Sequence, residues 1–127
     1  MDIIILLGAI LLAYGGMLIL YYYLRSKERK KATSDSMLKG LTSMRRGNLD
    51  KALFYFDKAY EYSIENNSRE EMAEALYSIG IVYKEKGEND NAMEYFNSSI
   101  DVYRELQDNE GLKKVMLASR SIRKVDN

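Results

Sequence analysis

The chain of 127 residues contains no cysteine, no histidine, no tryptophan and no proline. Without cysteine or histidine there is no thiolate nucleophile, no disulfide framework, no Cys/His zinc site and no imidazole that titrates near neutral pH. Most common catalytic constellations are excluded at this point. Net charge is lacking too, since 19 basic side chains face 19 acidic ones. That zero is a cancellation between segments: −1 over residues 1–24, +4 over 25–31, −7 over 34–110 and +4 over 111–127. The length allows one domain, or one small domain with an attachment.

What is present begins with a run of 22 uncharged residues from Ile3 to Leu24, twelve of them Leu or Ile. As a helix rising about 1.5 Å per residue the run is roughly 33 Å long, against a hydrocarbon core of about 30 Å. It reads as a single membrane span. A cleaved secretory signal would have a basic stretch before a shorter apolar core and small residues after it. Here Asp2 precedes the core, and Tyr21, Tyr22, Tyr23 and Leu24 follow it. The three tyrosines stand where an aromatic belt meets the headgroups, and Arg25, Lys27, Arg29, Lys30 and Lys31 come next, offset only by Glu28. The positive-inside rule then puts the N-terminus outside and the remainder in the cytoplasm, at the cell membrane. The same cations are placed to rest against anionic lipid at about 1 kcal/mol each. Ala9, Ala13 and Gly16 share one face of the span, a small-residue pattern that would suit helix pairing.

The remainder repeats with a period of 40 residues. Gly40 pairs with Gly80, Gly47 with Gly87, Ala52 with Ala92 and Phe56 with Phe96. Tyr55 and Tyr95, Leu53 and Met93, and Tyr60 and Ile100 agree in type at the same shift. Ser68 and Glu71 form a capping box, so a helix is expected from about Arg69. On it Met72, Ala75, Leu76, Ile79, Gly80 and Tyr83 recur at the helical period. Gly87 suits the left-handed position that ends it, and a second helix from about Asn91 to Leu106 turns Ala92, Phe96, Ser99 and Tyr103 inward. Gly80 and Ala92 leave room between antiparallel helices, and Phe96 fills it.

These residues resemble the tetratricopeptide repeat family. Its small and aromatic pattern is matched in the second unit by Leu76, Ile79, Gly80, Tyr83, Gly87, Ala92 and Phe96, with Ser99 in place of the usual alanine. The first unit matches at Gly40, Gly47, Ala52, Phe56 and Ala59, while Lys39 and Ser43 replace apolar and aromatic residues. The period of 40 looks like the long-helix variety, with residues 104–111 as the joint between units. Past Gly111 an inner face of Leu112, Val115, Met116, Ser119 and Ile122 continues, but Arg120 stands where the tight glycine is due. That is expected of a capping helix with a polar outer side. The expected organisation is an anchor over 1–24, a basic juxtamembrane linker over 25–32, repeats over 33–72 and 73–112, and a capping helix and tail over 113–127. The fold class is all-α. Two units and a cap make a short array, for which marginal stability or self-association is expected.

No phosphate, dinucleotide or metal motif occurs, so no cofactor, no metal, no nucleic-acid partner and no enzymatic activity are expected. Glu70, Glu71 and Glu74 are read as acids in the first turns of a helix that favour its dipole and face water. The resemblance implies a concave groove for an extended or helical peptide. Its positions fall on Met37, Leu41, Met44 and Arg45, on Tyr77, Ile81 and Lys84, and on Lys114 and Leu117. The lining is mainly apolar with a basic rim. The family's clamp for acidic chaperone tails would need Lys and Asn where Met37, Leu41 and Ser78 stand, and only Lys114 fits it. The expected function is a membrane-anchored adaptor or assembly factor that holds an apolar stripe on a partner protein. The alternative is a homo-oligomeric scaffold paired through the span and the open end of the array.

Overall fold

The computed structural model describes residues 2–126, and among these the chain forms five helices and no strand. They are α1 (Asp2–Arg45), α2 (Leu49–Glu65), α3 (Arg69–Glu85), α4 (Asn89–Leu106) and α5 (Asn109–Asp126). Each packs on its neighbour in sequence, and the odd-numbered helices also touch, α1 with α3 and α3 with α5. Two hairpins, α1–α2 and α3–α4, are thus stacked and closed by α5, the two-hairpin and cap architecture expected from the repeat.

The repeat has a finer period than 40. Left-handed residues fall at Gly47 (φ 77°), Asn67 (φ 55°), Gly87 (φ 79°) and Gln107 (φ 57°), one every 20 positions. At each, the next amide donates back to a carbonyl five residues earlier: Asn48 to Ser43, Ser68 to Ser63, Glu88 to Tyr83 and Asp108 to Tyr103, all at 2.9–3.0 Å. This closure satisfies carbonyls that a helix end leaves bare. The following helix then starts at once. Asn48, Ser68 and Asp108 accept from the amides of Lys51, Glu71 and Gly111, whereas Glu88 makes no such cap. The helix expected from about Asn91 begins at Asn89, on a first turn without a side-chain cap.

The core lies between the hairpin layers. Ala52, Phe56, Ile79 and Val82 form one cluster, and Ala73, Ala92, Phe96, Tyr103, Val115 and Ile122 another. Phe56 and Phe96 are fully buried, each contributing about 1.5–3 kcal/mol. Their rings lie against Gly40 and Gly80, where a methyl group would strike them. Ser99 keeps its hydroxyl in the core by donating to the Ala73 carbonyl at 2.7 Å. The two units differ in one exchange of size. The 40-residue shift carries Ser63 to Tyr103 and Glu71 to Gly111, and Gly111 is what leaves room for the Tyr103 ring. On α5, Val115, Ser119 and Ile122 are buried, Leu112 and Met116 half-buried, and Arg120 is exposed, as a terminal helix requires.

The largest departure from the sequence expectation is α1. Residues 25–32, expected as a linker, are helical, so the apolar run and the first repeat helix are one element of 44 residues. Lys, Arg and Glu are good helix formers, and no Gly or Pro stands between Gly16 and Gly40 to interrupt them. Arg29 secures the junction by donating to the Glu65 carbonyl at 3.2 Å, and Asn66 adds a bond to the Thr33 hydroxyl at 3.1 Å.

Candidate partner-binding groove

Helices α1, α3 and α5 flank one side of the array. A cavity of about 270 Å³ opens between α1 and α3, lined by Thr33, Ser34, Met37, Leu38 and Leu41 together with Glu71 and Glu74. Of the groove positions expected from sequence, Met37 and Leu41 therefore meet here. Met37 and Met44 are half-buried against the Phe56 cluster, and Tyr77 and Ile81 against the Phe96 cluster. Arg45 is exposed and Lys84 partly so, both toward the far ends of their helices. Leu117 is 54% exposed on α5.

Further along, Tyr77 and Lys114 come together, with the ammonium 4.7 Å from the Tyr77 ring centre and 5.8 Å from that of Tyr103. A cation over two aromatic faces is held without a carboxylate. Burial raises the Tyr77 hydroxyl above its ordinary pKa and pushes Tyr103 up to about 12, which extends the neutral range of both on the alkaline side.

The lining also contains residues that the sequence reading did not place there. Leu38 is 60% exposed and stands with Ser34 and Leu41 at helical spacing, a signal that was available in the pattern. Glu70 in the first turn and Glu74 in the second are exposed, but Glu71 is half-buried and one of its carboxylate oxygens is enclosed with no partner among the described residues. The rim is therefore acidic beside Met37 and Leu41 and basic only farther along, at Arg45, Lys84 and Lys114. Glu71 departs from the expected solvent-facing position because α1 lies across its face, which its place on its own helix does not reveal.

The tetratricopeptide repeat model matches residues 32–105, more than half of the chain. The chain belongs to the tetratricopeptide repeat family. The match begins inside α1, past its apolar half, and ends in the last turn of α4, so both hairpins are covered and α5 lies beyond it. Tetratricopeptide repeats are interaction modules, typically without catalytic activity, and the family implies a protein partner. No curated protein matches the chain.

Proposed function

We propose that the protein is a membrane-anchored adaptor whose tetratricopeptide groove holds an apolar segment of a partner protein at the cytoplasmic surface of the cell membrane. One observation carries the reading. The apolar half of α1 is uncovered by the rest of the chain, with Ile3, Leu11, Leu12 and Ile19 each more than 70% exposed, and it runs without a break into the helix that carries Met37, Leu38 and Leu41. So large an apolar surface is stable only in lipid or against a partner. The bulky Tyr21, Tyr22, Tyr23 and Leu24 at the end of the run also weigh against a cleaved leader, which has small residues at its cleavage site. The basic collar orients the array inward, and confinement to the membrane raises the effective concentration of membrane-proximal partners.

The test separates packing from binding. Tyr77 and Ile81 both pack on the core, so truncating them would disturb the fold along with the groove. Leu41 and Leu117 project into solvent, and Leu41→Ser with Leu117→Ser is expected to leave helicity and melting unchanged while photocrosslinking from position 38 in native membranes falls at least about five-fold. Crosslinking that survives the pair overturns the groove.

A homo-oligomeric scaffold is a second reading, favoured by the exposed Arg120 and Arg123 on α5 opposite an acidic repeat body. Analytical ultracentrifugation of the full chain in detergent, with and without Arg120→Glu and Arg123→Glu, separates it from a monomeric adaptor.

A further inference from the structure

A second cavity, of about 300 Å³, lies where α1 leaves its apolar run and the end of α2 folds back against it. It is lined by Tyr22, Arg25, Ser26 and Arg29 of α1, with Glu65 and Asn66. Arg25 donates through Nη1 to the Tyr21 hydroxyl at 2.9 Å, and Arg29 through Nη1 to the Glu65 carbonyl at 3.2 Å. These bonds orient both side chains and, among the described residues, engage one nitrogen of each. A guanidinium carries five N–H donors in a planar fork suited to phosphate oxygens, so most of that capacity is left for a ligand. Asn66 gives its amide N–H to Thr33, and its Oδ1 is enclosed with no partner among the described residues, so this side chain walls the cavity. Two cations against the single carboxylate of Glu65 leave one positive charge for the cavity.

The position of the cavity along α1 selects the ligand. Arg25 and Arg29 lie one and five residues past Leu24, a rise of about 1.5–7.5 Å beyond the apolar run. The headgroup layer of a bilayer is about 5–7 Å deep on each side. Lys27, Lys30 and Lys31, by contrast, are exposed and outside the cavity, and serve only as diffuse charge.

Resting on the membrane-anchor reading above, we propose that this cavity binds the phosphodiester of one anionic phospholipid, because the positive charge left over by Glu65 favours a net negative headgroup over a zwitterionic one. Arg25, Arg29 and Ser26 take the phosphate. Because Glu65 and Asn66 end α2, the bound lipid ties the first hairpin to the bilayer surface. The groove floor at residues 37–41 is then held about 20–25 Å above the end of the apolar run.

The full chain is reconstituted in vesicles of mixed dioleoyl phosphatidylglycerol and phosphatidylcholine, then extracted gently for native mass spectrometry at an ionic strength that screens diffuse attraction. One phosphatidylglycerol should remain per chain. Arg25→Gln with Arg29→Gln should reduce its retention about ten-fold or more, while Lys27→Gln with Lys30→Gln, which removes the same charge outside the cavity, leaves it unchanged. Arg25→Gln alone, which keeps the Arg29–Glu65 contact, should weaken retention in the same direction and guards against misfolding of the double variant. Equal loss in the arginine and lysine variants, or equal retention of phosphatidylcholine, overturns the site. So does displacement of the lipid by excess inorganic phosphate, which would mark a free-phosphate site. Release of the chain from the vesicles by alkaline carbonate would sink the anchor itself, whereas an inserted chain that retains both lipids alike sinks only the headgroup site.

Discussion

Glycine 80 shows how tightly one residue is held by its neighbours. A Cβ placed there would lie 2.6 Å from two carbons of the Phe96 ring, which is fully buried and has nowhere to retreat. Gly80→Ala should therefore destabilise the protein by about 1–3 kcal/mol from overpacking, even though alanine favours a helix over glycine by about 1 kcal/mol. Chemical unfolding of the full chain in detergent micelles measures it, and Phe96→Leu in the same chain should recover part of the loss. A stabilised Gly80→Ala would mean that the ring yields. The Gly80–Phe96 pair was legible in the sequence because the 40-residue shift repeats it at Gly40 and Phe56. The contact of Gly111 with Tyr103 was not, because it exists in one unit only. The left-handed turns were half legible: Gly47 and Gly87 announce themselves, whereas Asn67 and Gln107 adopt the same backbone without glycine, held by the tight closure around them.

Among the elements, α1 carries the most consequence, since its continuity transmits the orientation of the apolar half to the repeats. The charge run 25–31 reads as a linker only if a helix needs an apolar face throughout, and a solvated helix does not. A proline at position 30 removes the amide that would bond back to Ser26 and clashes with that carbonyl, at about 3 kcal/mol or more. Hydrogen exchange on Lys30→Pro should show amides 27–34 losing protection while those of α3, α4 and α5 keep theirs. Loss of protection throughout would instead mean that the two hairpins depend on α1 as a rigid strut. The Arg29–Glu65 tie is repeated 40 residues later by the ion pair of Arg69 with Glu105, so its register was written in the sequence although no motif marks it.

For the whole molecule, stability couples to pH through Tyr103, in the cluster that joins the last hairpin to α5. Its pKa is pushed from 10.0 to about 12, chiefly by burial and then by Glu74, Asp108 and Tyr77. Above about pH 10 the unfolded chain loses this proton while the native chain keeps it, so the unfolded state binds fewer protons and stability falls as pH rises through that window. The loss from this group alone approaches roughly 2–3 kcal/mol by pH 12. Melting of the full chain from pH 8 to 12 should decline accordingly, and Tyr103→Phe should flatten the decline. An unchanged alkaline limb in that variant would assign the loss to other groups.

The apolar run, the helical period, the repeat of Gly40 and Phe56 at Gly80 and Phe96, and the polar cap at Arg120 were all readable in advance, because each is a pattern along the chain. Such patterns settle the all-α class and the stacking of hairpins, since an apolar face of a given period has few ways to be buried. The groove lining and the cavity at Arg25 and Arg29 depend on which side chains meet across helices. Leu41 and Glu74 lie 33 residues apart, and Arg29 and Glu65 lie 36 apart, yet each pair shares a cavity. Local propensity is blind to such pairs. Packing of α1 on α2 and α3 alone decides that Glu71 closes over an apolar floor and that two arginines meet an asparagine where the apolar run ends.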